Sequence, residues 1–120
     1  MNHKTTFVVG GCRSGKSHFA LSQANAVCGS RKVFIATSVP ADDEMEKRVQ
    51  THQKERGSDW TTCEEPVNIH QAIDQHSARA DVLLVDCLTL WVSNLMLAGE
   101  KTRQIEHRML QLEKSLFNSR

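Results

Sequence analysis

Charge of one sign, long apolar runs, paired cysteines and repeats are all missing from this 120-residue chain. Fifteen Lys and Arg stand against fourteen Asp and Glu, a formal net charge of +1. Bulk attraction to nucleic acid or to an anionic membrane is therefore not expected, and any anion must be bound locally. No run approaches membrane-spanning length, and Met1-Asn2-His3-Lys4-Thr5-Thr6 lacks the apolar stretch of a signal peptide, so a cytoplasmic protein is expected. Cys12, Cys28, Cys63 and Cys87 are widely spaced and include no C-x-x-C pair, which indicates neither a zinc site nor a redox dithiol. They are expected as reduced thiols, three of them small core or half-buried residues. With no linker-like or low-complexity stretch, residues 1–120 are expected to form one domain.

What is present begins at the amino-terminal end. The apolar run Phe7-Val8-Val9 leads into Gly10, Gly11, Cys12, Arg13, Ser14, Gly15, Lys16 and Ser17, which fit the phosphate-loop pattern G-x-x-x-x-G-K-[ST] without a mismatch. Glycines let the backbone curl with its N–H groups pointing inward, and the helix that follows offers its positive end to the phosphates. Lys16 then reaches the outer phosphates and Ser17 can ligate Mg²⁺. This pattern predicts binding of a nucleoside triphosphate. Cys12, inside the loop, is a liability to alkylation rather than a catalytic group.

Short β-type runs alternate with longer helical ones, which predicts an α/β fold with a parallel sheet. The expected strands are Thr6–Val9, Lys32–Ala36 and Val82–Val85, and the expected helices Lys16–Val27, Asp42–Arg56, Val67–His76, Leu88–Leu97 and Thr102–Leu116. The stretch from Gly57 to Glu65 reads as a loop with room for one short strand, its Thr pair favouring that. Pro66 is expected at the start of the next helix, where its missing N–H costs nothing. Asp42, Asp43 and Glu44 read as capping and dipole-complementing residues, or as carboxylates that hold Mg²⁺ or a substrate.

Val82-Leu83-Leu84-Val85-Asp86 is an apolar run ending in a carboxylate, the form of a buried strand that delivers an acid to the carboxyl edge of a parallel sheet. Beside a phosphate loop, Asp86 is expected to hold the metal with Ser17. His52 lies on the polar helix with Arg48 before it and Lys54 and Arg56 after it. Basic neighbours favour the neutral imidazole, a usable nucleophile toward phosphorus. From periodicity alone, His52 reads as a surface histidine rather than a catalytic one.

Five motifs in order resemble the bifunctional adenosylcobinamide kinase/adenosylcobinamide-phosphate guanylyltransferase family: Gly10–Ser17, Ile35–Ser38, Asp42–His52, Trp60–Glu64, and Val85–Leu95 with its Trp91 and Asn94. The resemblance runs from Thr6 to about Leu97 and implies a P-loop fold of RecA-like type. It implies phosphorylation of the aminopropanol hydroxyl of adenosylcobinamide by ATP or GTP. Transfer of GMP from GTP to that phosphate would then give adenosylcobinamide-GDP. Residue by residue, it implies that His52 takes GMP covalently, that Gly10–Ser17 cradle phosphates with Lys16 catalytic, and that Ala36, Thr37 and Ser38 contact nucleotide. Gln53, Lys54, Glu55 and Arg56 would line the guanylyl site, and Glu64 and Asp86 would make further nucleotide or metal contacts. It also implies homo-oligomers.

Family members continue past the point where this chain stops, so the resemblance implies a sheet lacking its last strands. Two alternatives therefore stand beside the enzyme: a truncated, non-catalytic remnant, and an unrelated P-loop small-metabolite kinase or ATPase. The second fits the Walker elements but not the His52 helix or the Trp60–Glu64 segment.

Overall fold

The computed structural model describes residues 5–10, 15–38 and 42–118. Among these, three strands and five helices follow one another as α1 (Lys16–Asn25), β1 (Lys32–Ala36), α2 (Asp43–Arg56), β2 (Trp60–Glu64), α3 (Ile69–His76), β3 (Val82–Asp86), α4 (Leu88–Leu97) and α5 (Thr102–Asn118). The strands form one parallel sheet in the order β2-β1-β3. From β1 the chain crosses through α2 to its neighbour β2, then returns through α3 past β1 to β3. The direction of winding reverses at β1, and in open α/β sheets ligands bind outside the carboxyl ends of the strands at such a reversal.

The register assigns each strand residue to a face, because successive side chains point to opposite sides. Ile35 pairs with Cys63 and Val85, and Val33 with Thr61 and Leu83. The core forms on this face: Val33 and Ile35 pack with Ile69, Ala72 and Ile73 of α3, Trp91 and Leu95 of α4 and Leu112 of α5, with Cys63, Leu83 and Val85 at its margin. The opposite face carries Phe34, Ala36, Thr62, Asp86 and Glu64, and here no residue of α2 is buried.

Polar side chains hold the helices onto this frame. Trp91 Nε1 donates to the Val67 carbonyl at 2.7 Å, and Asn94 Nδ2 donates to the carbonyls of Thr37 at 2.8 Å and Pro66 at 3.1 Å. Arg108 Nε sits 2.7 Å from Glu100 Oε1 while its Nη1 donates to Asn68 Oδ1 at 3.0 Å, tying α5 to the start of α3. On the other face Asn25 Oδ1, at the end of α1, accepts from Trp60 Nε1 at 3.0 Å.

Several expectations are corrected. Thr6–Val9 forms no strand: Phe7 is 71% and Val9 79% exposed, with no ladder partner among the described residues. A β-run expresses a fit to neighbouring strands and packed faces rather than a backbone preference, and here no described strand pairs with it. The helix expected to reach Val27 ends at Asn25, whose side chain turns instead to Trp60 and Lys32. The helix expected from Val67 starts at Ile69, so Pro66 does not open it. The Glu65 carboxylate accepts from the Val67 and Asn68 N–H groups, building a turn between Pro66 and the helix. Cys63 and Cys87 are half-buried as expected, but Cys28 lies exposed in the bend after α1.

Candidate functional site

α2 begins where Asp42, in an extended conformation, accepts from the Met45 N–H at 2.9 Å, and Asp43, Glu44 and Glu46 fill its first turn. The acidic cluster is thus a cap with dipole-complementing neighbours. The helix stops at Gly57, whose φ of 98° disfavours residues bearing a Cβ and which turns the chain toward β2. Val49, His52 and Arg56, spaced three and four apart, share one helical face.

That face and the sheet enclose an open cleft of about 220 Å³ at the carboxyl ends of β1 and β3. Its floor is the row the register aligns: Phe34, Ala36 and Ser38 along the β1 chain, Thr62 on β2, and Asp86 with Cys87 and Leu90 on the β3 side. Val49, His52 and Arg56 supply the opposite wall. His52 itself is exposed, so its imidazole is accessible to a ligand entering the cleft. The Arg56 guanidinium lies 3.8 Å over the Phe34 ring and donates from Nη2 to Thr62 Oγ1 at 3.0 Å. Burial pushes Arg56 below its ordinary range, and the Asp86 charge partly offsets this.

The end of β3 is held from below by Thr37, which is fully buried. Its hydroxyl lies 2.9 Å from the Cys87 carbonyl oxygen and 3.2 Å from that of Asp86, and it accepts from the Cys87 N–H at 2.9 Å. The Thr37 hydroxyl is therefore engaged in fixing the backbone that presents Asp86. The Cys87 sulfur accepts from Leu90 N–H at the start of α4. Cys63, on the core face, has its thiol pushed up by burial and then by Glu65 and Glu64, which makes it a poor nucleophile.

The other candidate residues divide clearly. Ala36, Ser38, His52, Arg56 and Asp86 meet in the cleft. Gln53, Lys54 and Glu55 lie on α2 outside its lining, and Glu64, paired with Ala36, is exposed at the end of β2. Lys16 and Ser17 open α1 behind Gly15, whose φ of 83° is a glycine conformation, and they are not among the cleft-lining residues. Gly10 precedes them without regular structure, and Gly11, Cys12, Arg13 and Ser14 lie outside the described residues. Phe34, Val49, Thr62, Cys87 and Leu90 are the cleft-lining residues that sequence reading missed. Phe34 stands two residues before Ala36, so strand periodicity was the one available signal for it.

Asp86 is the carboxylate of the cleft lining, whereas Ser17 lies in the first turn of α1 outside that lining. Among the described residues there is no group of three or more His, Cys, Asp or Glu side chains able to hold an ion by themselves.

A family profile described as "Cobinamide kinase / cobinamide phosphate guanyltransferase" (CobU) matches residues 6–120. The bifunctional adenosylcobalamin biosynthesis protein CobP of Pseudomonas aeruginosa is 39% identical over 106 residues, 88% of this chain and 61% of the relative. The bifunctional adenosylcobalamin biosynthesis protein CobU of Salmonella typhimurium is 39% identical over 93 residues, 76% of this chain and 49% of its own length. Its Escherichia coli namesake is 37% identical over 91 residues, 74% and 48% respectively. The chain thus spans about half to three-fifths of the length of these relatives. On a profile match running through nearly every residue, this chain belongs to the cobinamide kinase / cobinamide phosphate guanyltransferase family.

Proposed function

We propose that this chain carries the nucleotide site of an adenosylcobinamide kinase and adenosylcobinamide-phosphate guanylyltransferase, acting in the cytoplasm, with GTP and ATP as nucleotides and His52 as the residue that accepts GMP. The observation that carries the reading is the meeting of His52, Arg56 and Asp86 in one cleft at the point where the sheet reverses its winding. An imidazole nitrogen of His52 attacks the α-phosphorus of GTP, and the bond to the leaving pyrophosphate breaks. A phosphate oxygen of adenosylcobinamide phosphate then attacks the same phosphorus, and the imidazole leaves with the electron pair of the P–N bond. Two in-line steps thereby replace one displacement between two anionic phosphates. Arg56 supplies positive charge against the phosphate oxygens.

Asp86 and Ser17 would hold Mg²⁺, which supplies charge neutralisation on the phosphates. Lys16 acts on the outer phosphates in the kinase step, in which the aminopropanol hydroxyl of adenosylcobinamide takes the terminal phosphoryl group. The guanylyl half has the greater support, since His52 and Arg56 line the cleft while Lys16 and Ser17 do not. Association into homo-oligomers completes the proposal.

Intact mass after incubation with GTP and Mg²⁺ tests the transferase half. The expected result is an acid-labile gain of one GMP that His52→Asn abolishes. No gain in a soluble, cooperatively folded chain would overturn it. Retained GTP turnover in Lys16→Ala would overturn the phosphate-loop role.

A further inference from the structure

We propose that Phe34 and Thr62 are positioning residues, which seat Arg56 and through it set where α2 holds the His52 imidazole over the cleft. The inference rests on the reading of His52 as the GMP acceptor. It begins from the poor attachment of α2, none of whose fourteen residues is buried. Val49 is half-buried, and Asp42 caps the helix only against its own first turn. Arg56, one turn beyond His52, makes the specific attachment to the sheet.

Two contacts of different kinds fix the guanidinium. Its plane is met by the Phe34 ring at 3.8 Å, and its Nη2 donates to Thr62 Oγ1 at 3.0 Å. Phe34 and Thr62 are Cα partners across β1 and β2, so the register places ring and hydroxyl side by side on the cleft face. The ring is braced in turn by Trp60, edge-on at 6.2 Å, whose indole N–H is held by Asn25. A ring selects the height of the guanidinium and a hydroxyl selects its rotation. Together they define a seat that neither contact defines alone. Arg56 Nε is buried without a partner, so the seat leaves one donor of this side chain unused. A guanidinium held by apolar packing and a single hydroxyl is being placed rather than maximally satisfied. Because His52 lies on the same face one turn away, a shift of Arg56 carries the imidazole with it, and small displacements of a nucleophile weaken in-line attack strongly.

The test is the single-turnover rate of GMP attachment, read by intact mass across a range of GTP concentrations, for the unmutated chain and for Thr62→Val, Thr62→Ser, Phe34→Leu and His52→Asn. Thr62→Val keeps the shape and removes the acceptor. Its saturating rate should fall about tenfold, the half-saturating GTP concentration should move less than about twofold, and Thr62→Ser should restore the rate. Phe34→Leu should fall further; if it fails to fold, the Thr62 pair decides. The unmutated rate in Thr62→Val would overturn the positioning role alone, as would a loss that Thr62→Ser does not restore or one explained by a lower unfolding temperature. No adduct in the unmutated chain, or an adduct in His52→Asn, would overturn the reading of His52 and the positioning role with it.

Discussion

The two faces of the sheet are built from alternate residues of the same three strands, yet they differ in almost every physical respect. On one face Val33 and Ile35 disappear beneath three helices, and Ile69, Ile73, Trp91 and Leu95 are almost completely removed from water. On the other, Phe34, Ala36, Thr62 and Asp86 floor an open cleft under a helix with no buried residue. One face holds the chain together and the other is free to hold a ligand. The carboxyl ends of β1 and β3 join them, because Thr37, buried under the core side, fixes the backbone from which Asp86 enters the cleft.

If the faces divide stability from function in this way, substitutions should sort by face. The largest effect belongs to the core. Ile35→Ala should lower the unfolding free energy by about 2–5 kcal/mol in a denaturant titration, since it opens a cavity beneath α3 and α4. His52→Asn, on the exposed wall of the cleft, should stay within about 0.5 kcal/mol of the unmutated chain while losing the GMP adduct. Equal destabilisation by the two would erase the distinction. At the junction Thr37→Val should cost about 1–3 kcal/mol, because the Cys87 N–H loses its acceptor beside a buried side chain.

The smallest effect lies at the amino-terminal edge of the sheet, away from both. Arg31 Nη2 stands 3.0 Å from Asp81 Oδ1 on the surface, and these contacts hold the Asp81 carboxyl below its usual range. A depressed carboxylate contributes stability that is present above its unfolded pKa and lost as pH falls through the folded one. Asp81→Asn should therefore lower the thermal midpoint less than Ile35→Ala or Thr37→Val at neutral pH, and the difference should shrink as pH falls below about 4.

Much of the packed face was legible in the sequence, and much of the open one was not. Lys32–Ala36 appears with the bounds expected for it, Val82–Asp86 extends its expected strand by one residue, and the acidic start of α2 caps as such residues do. These features depend on apolar runs and local capping, which neighbouring residues determine. Trp60–Glu64 was weaker, because Thr, Cys and Glu carry little apolar signal and the strand owes its existence to pairing with β1. Thr6–Val9 shows the converse, an apolar run without a partner that forms no strand. In the site, His52, Arg56 and Asp86 could be nominated from spacing and resemblance. Phe34 and Thr62 could not, since their role arises from inter-strand register, which no single segment encodes.

Backbone hydrogen exchange with and without GTP and Mg²⁺ tests the central claim most directly, because it reports both faces in one experiment. Added protection should concentrate in α2 and in residues 34–38 and 86–90, while exchange in Ile69–His76 and the middle of α5 should be the same with and without ligand. Protection confined to the opposite edge, around residues 30–33, 58–61 and 76–80, or spread evenly over both faces, would contradict a nucleotide site in the cleft beneath α2.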